Sequence, residues 1–206
     1  MEYYIYNIPL FVVNEPEESV DIPSFCAEVE EYTPQRLLRH VEVVYLGNFK
    51  ELAGRNATYS NGAIYMSANE PTNFDMIENF IHEVAHSLET EYGMFIYDDA
   101  LLGEFKGKRT RLSHLLKAEG YHINPMLYDF TEYNKKFDNF LANEVGYPTL
   151  LSLTMGLFVS PYGATSVQEY FANGFEKYFL DNPRRVRDVS PILYRKIEEI
   201  INDDEA

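Results

Sequence analysis

The sequence predicts an α+β fold, with a small mixed-sheet lobe over about residues 1–72 and a larger helical lobe over about 73–206, treated as one domain of 206 residues. Three observations predict it. The chain is 46% apolar and 24% charged, an ordinary globular mix, and it is long enough to bury a sizeable core. The first third holds a β-branched run and a hairpin pattern. From residue 72 the apolar spacing changes to three or four residues, the period of a helix face.

Each element has its own signal. Thr33 followed by Pro34 reads as an N-cap and first helical position, so a short helix is expected over 34–40. Val41-Glu42-Val43-Val44-Tyr45-Leu46 reads as a strand ended by Gly47-Asn48. Residues 56–59 and 63–68 flank Asn61-Gly62, the signature of a tight hairpin. Thr72 and Asp75 have capping-box spacing, and Ile77, Phe80, Ile81, Val84, Ala85 and Leu88 then form one stripe, with Gly93 as the expected stop. Further helices are expected over 134–144, 148–159, 166–180 and 190–201.

Charge narrows the partners. Asp and Glu number 33 against 17 Lys and Arg, a net charge of −16. Such a field repels nucleic acid and anionic membrane surfaces. No apolar run approaches the roughly 20 residues that span a bilayer, so membrane insertion is not expected. The first 35 residues carry no Lys or Arg, and Glu15, Glu17, Glu18, Asp21, Glu28, Glu30 and Glu31 crowd one stretch. That stretch reads as a solvated acidic face or as a docking surface for a basic partner. Glu104 to Arg111 is the opposite, a local basic patch read as a solvated loop or a lining of a substrate channel. Cys26 is the one cysteine and reads as a small hydrophobe. The N-terminus lacks the basic start of a secretory leader, so cytoplasmic action is expected of a full-length chain and secretion of one whose leader was removed.

Chemistry is concentrated in His82-Glu83-Val84-Ala85-His86. Residues four apart on a helix share a face one turn apart, so two imidazoles there converge on one ion. Glu83 leans beside that ion and is placed to take a proton from a bound water, whose pKa zinc lowers to about 7. A catalytic zinc takes three protein ligands and one open position. A metzincin would place Gly and His three and six residues past His86, where this chain has Glu89 and Tyr92, so that class is excluded. His40, His114 and His122 read as structural or surface residues, which leaves Glu89, Glu91, Glu104, Glu119 and Glu169 as candidate carboxylate ligands. Glu169 lies three residues after Ser166, so it reads equally as a helix cap and as a ligand.

His82-Glu83-x-x-His86, followed by Tyr162-Gly163-x-Thr165-x-x-x-Glu169-Tyr170-Phe171-Ala172, resembles the anthrax lethal factor catalytic domain and its relatives, the Pro-Pro endopeptidases. The resemblance covers about residue 35 to the end. It implies a zincin-like metalloprotease fold of the gluzincin type, with the zinc helix between the lobes. It implies Zn2+ held by His82, His86 and Glu169, with Glu83 as general base and then as proton donor to the leaving amine. Tyr162, seven residues before Glu169 as in that family, would donate to the oxygen of the tetrahedral intermediate. Substrate would lie along the sheet's edge strand, expected at Ala63 to Ala68. Family members carry leaders or receptor-binding modules that this sequence does not resemble, so a stand-alone cytosolic or phage-encoded member is one expectation, and a toxin-like or defence effector that needs a delivery partner is a further context for the same activity.

The expected function is therefore a zinc-dependent endopeptidase cutting an extended protein or peptide segment, with proline in that segment as analogy alone. The alternative is a non-catalytic zincin-fold interaction or effector domain that binds a protein partner.

Overall fold

The computed structural model describes residues 2–203. These divide into two compact units, residues 2–91 and 92–203. The first unit is built on a mixed sheet. Its strands are β1 (Glu2–Ile5), β2 (Ile8–Val12), β3 (Val43–Gly47), β4 (Ala57–Ser60) and β5 (Ala63–Ser67), in the spatial order β1-β2-β3-β5-β4. β2, β3 and β5 run parallel, and antiparallel β1 and β4 form the two edges. Helix α1 (Ile22–Tyr32) connects β2 to β3.

Alternation along the strands explains why one face is buried. Leu10, Val44, Leu46, Ile64 and Met66 are all 0% exposed and lie on one side of the sheet. Aromatics mark the other side. Phe11, Tyr45 and Tyr65 are register partners across β2, β3 and β5, and their rings stack with centroids 5.8 and 5.4 Å apart. Asn61 (φ 49°) and Gly62 (φ 83°) both take the left-handed conformation that a two-residue hairpin turn requires. β4 is thus an edge strand, whereas β5 is paired on both sides. The expectation that Ala63 to Ala68 offers a free edge is corrected: the edge belongs to Ala57–Ser60.

Helix α2 (Asn73–Ile96) begins as the Thr72 signal predicts, with Thr72 Oγ1 accepting from the Asp75 N–H at 3.2 Å. Every residue of the expected stripe, from Ile77 to Leu88, is 0% exposed. Gly93 does not stop the helix; the Tyr97 N–H still bonds back to its carbonyl at 3.0 Å. The first turns of α2 are tied to the sheet unit. Asn73 exchanges two hydrogen bonds with the backbone of Asp21, and Phe80 meets Phe25 edge to face at 5.9 Å. The first unit therefore includes the first turns of α2, and its boundary with the second falls after Glu91.

Thr33 ends α1 rather than opening the next helix: its N–H bonds to the Val29 carbonyl at 2.9 Å. Only a 3₁₀ turn over Gln35–Leu38 follows where 34–40 was expected to be helical. Cys26 is buried in α1, and burial pushes its thiol up to about 11. Most of the acidic stretch is solvated; Asp21 caps α1 through the Ser24 N–H, and Glu30 accepts from the Tyr6 N–H.

The second unit is helical: α3 (Asp99–Ala118), α4 (Lys135–Asn139), a π-helical continuation over Phe140–Gly146, α5 (Tyr147–Thr154), α6 (Val167–Leu180), α7 (Pro183–Val189) and α8 (Pro191–Ile201). Its core joins Phe105 and Leu112 of α3 to Tyr170, Phe171 and Phe175 of α6 and Leu193 and Ile197 of α8. α6 and α8 approach so closely at Gly174 that an added Cβ would stand 2.4 Å from Leu193 Cδ2. The N-terminus of α8 is capped from a distance: the Glu104 carboxylate accepts from the N–H groups of Ile192 (2.9 Å) and Leu193 (3.2 Å) and from the Tyr170 hydroxyl.

The supposed basic loop at Glu104–Arg111 is the middle of α3, and two of its cations are buried, Lys108 at 8% and Arg109 at 1% exposure. Among the described residues no helix is long and apolar enough to cross a membrane.

Candidate functional site

The first unit carries the His-Glu-x-x-His sequence on α2. His82 and His86 are one turn apart, and their Nε2 atoms face each other at 3.3 Å. The other ring nitrogen of His86, Nδ1, is 2.7 Å from Glu89 Oε1. An ionised carboxylate can only accept, so His86 Nδ1 donates to Glu89, and in the neutral tautomer that this bond favours the lone pair is on Nε2. Two Nε2 atoms converging this closely suit a shared cation, and a carboxylate behind one imidazole is the usual support for a metal-ligating histidine. The donor chemistry therefore fits zinc. Glu89, weighed in the sequence as a ligand, pairs with His86 Nδ1.

Glu83 is 8% exposed and points at the sheet edge. Its Oε2 accepts from the backbone N–H of Tyr59 on β4 at 2.6 Å. The Tyr59 hydroxyl in turn donates to the His40 carbonyl at 3.1 Å. Tyr59 carried no signal in the sequence, because the contact uses its backbone and needs the strand order to be known.

The second unit carries Tyr162 and Glu169. Tyr162 opens a 3₁₀ turn (Tyr162–Ala164) that leads into α6. Ser166 is the N-cap of α6, its Oγ accepting from the Glu169 N–H at 3.1 Å. Capping thus uses the backbone of Glu169, and its carboxylate has the Tyr162 hydroxyl 3.5 Å from Oε1, the outer limit of a hydrogen bond. Glu169 is 9% exposed.

The turn before α6 is held by Arg109. Its guanidinium donates to the carbonyls of Ala164 (2.8 Å), Thr165 (3.3 Å) and Leu127 (2.6 Å) and stacks 3.9 Å over the Phe137 ring. Burial lowers its pKa to about 10. Lys108 beside it donates to the Leu157 and Val189 carbonyls at 2.7 and 2.6 Å, and burial lowers it to about 8. Lys108 also lines a surface cavity with Glu104, Arg111 and Val189.

The remaining candidates have other work. Glu91 pairs with Arg39 and His40, each at 2.9 Å. Glu104 caps α8, and Glu119 is the exposed C-cap of α3. His114 and His122 are exposed. Comparison with protein-family models, with curated proteins and with solved structures finds no match to this chain.

Proposed function

We propose that this chain is a zinc-dependent endopeptidase of zincin-like, gluzincin type. One observation carries the reading: the facing Nε2 atoms of His82 and His86, with Glu89 behind the second and Glu83 alongside. The motif resemblance to lethal factor and the Pro-Pro endopeptidases supports the same assignment. His82, His86 and Glu169 would hold the ion, a two-imidazole, one-carboxylate donor set that suits zinc. Zinc, when bound, lowers the pKa of a water to about 7 and polarises a carbonyl.

The residues of the chain then have separate tasks. Glu83 takes one proton from the attacking water and delivers it to the leaving amine nitrogen as the C–N bond breaks. Tyr162 donates its hydroxyl hydrogen bond to the scissile carbonyl oxygen as that oxygen gains negative charge. Glu89 keeps the Nδ1 proton of His86 in place, which holds the Nε2 lone pair on the ligand side. β4 offers the backbone edge along which an extended substrate would pair.

The test incubates the zinc-loaded protein and Glu83→Ala with a diverse extended-peptide library, with products read by mass spectrometry. Cuts by the wild type alone, at least about 10³-fold above the variant, are the expected result. Silence from both with one zinc per chain overturns the peptidase and leaves the metal-holding interaction domain. Silence without zinc overturns the metal centre as well.

A further inference from the structure

We propose that the backbone N–H of Tyr59 is the positioning group for Glu83, and that it decides which carboxylate oxygen handles the proton. The inference rests on the peptidase reading. The hairpin register carries the argument. β4 pairs with β5 as Ser60↔Ala63, Tyr59↔Ile64, Thr58↔Tyr65 and Ala57↔Met66 around a two-residue turn. In such a hairpin the pair flanking the turn exchanges hydrogen bonds, and bonded pairs alternate with unbonded ones. The next bonded pair beyond the strand is seen directly, in the Ser67 N–H bond to the Asn56 carbonyl at 2.7 Å. Residues 56, 58 and 60 therefore face β5, and residues 57 and 59 turn their N–H and C=O groups outward from the edge.

The outward N–H of Tyr59 meets Glu83 Oε2 at 2.6 Å. An edge N–H that would otherwise face solvent is committed to the general base. A charge-assisted bond from a fixed backbone donor holds the carboxylate in one rotamer. With Oε2 occupied, Oε1 is the oxygen that takes the proton from water and passes it to the amine. Substrate pairing along β4 must then leave the Tyr59 N–H to Glu83 and use the Tyr59 carbonyl and the Ala57 groups. The side chain of Tyr59 is secondary, since its hydroxyl bonds to the His40 carbonyl.

Two measurements test this. The first reads no activity: amide hydrogen exchange of Tyr59 in wild type and Glu83→Ala. Exchange at Tyr59 is expected to speed up about tenfold or more on loss of Glu83, while the ladder amide of Tyr65 stays as it was. Equal Tyr59 rates in the two proteins overturn the proposal. The second uses Tyr59→Pro, which removes the outward N–H and no ladder bond, a substitution that edge strands tolerate. It is expected to lower kcat about 10- to 100-fold with KM within about twofold and zinc still one per chain. Tyr59→Phe, which keeps the amide, is expected to rescue most of that rate. Equal kcat for the two variants overturns the proposal, as does a loss confined to KM. If Tyr59→Pro does not fold, the exchange comparison decides alone. A wild type that cuts no peptide overturns the peptidase reading and the catalytic role with it, even where exchange shows the hydrogen bond.

Discussion

Helices α2 and α3 are both long, at 24 and 20 residues, and both bury a stripe, yet they bury different things. The stripe of α2 is apolar at every expected position, and its burial follows the ordinary hydrophobic rule. The stripe of α3 runs Leu101, Phe105, Lys108, Arg109, Leu112, Leu116, with two cations in its centre. Those cations are bearable because carbonyls at the ends of other elements turn toward them and aromatic rings flank them. One helix is held to its unit by removing methylenes from water. The other completes hydrogen bonds that loop carbonyls would otherwise lack.

That contrast can be broken by mutation, the largest effect first. Phe80→Ala on α2 should cost about 3–5 kcal/mol, because it leaves a cavity in a fully buried stripe. The midpoint of urea unfolding measures it. Arg109→Met should cost about 2–3 kcal/mol by leaving carbonyls of Ala164, Thr165 and Leu127 without their donor. A loss under about 1 kcal/mol would mean that those carbonyls find other partners.

Lys108 sharpens the contrast through pH. Its folded pKa, about 8, lies below the ordinary value of 10.5, and the first cause is burial. Between those two values the unfolded chain binds the proton and the folded chain does not, so this residue's contribution to stability rises with pH. Below about 8 both states are protonated and the contribution is flat. Unfolding curves from pH 7 to 10 should show the wild type gaining on Lys108→Met; parallel curves would give Lys108 ordinary basicity. The smallest effect is expected at Thr72→Ala, about 1 kcal/mol from the lost N-cap of α2, again from the urea midpoint.

The same contrast explains what was legible in the chain. α2 was read with its cap, its stripe and its two histidines, because each is a short-range pattern of residue types. α3 was missed, since Gly103, Gly107 and the run Lys106-Gly107-Lys108-Arg109 imitate a polar loop. β1 and β2 were missed as well; they are short, and Pro9 interrupts their only apolar run. The hairpin was located but its place in the sheet was not, so β5 was taken for the edge that β4 occupies. Glu169 could be read as a cap or as a ligand. The fold separates the two uses, assigning the cap to its N–H and the Tyr162 contact to its carboxylate.

By itself, then, the sequence determined the α+β class, the His-Glu-x-x-His spacing and the helix that presents it. Each follows from contacts no more than a turn or a hairpin away, and periodicity records such contacts directly. Only the tertiary structure decided that β4 is the edge, that its Tyr59 N–H grips Glu83, that Glu89 supports His86, and that Lys108 and Arg109 are interior. Strand order and backbone donors leave no mark on residue identity. A buried cation, likewise, has the same letter as a solvated one until the carbonyls that surround it are in place.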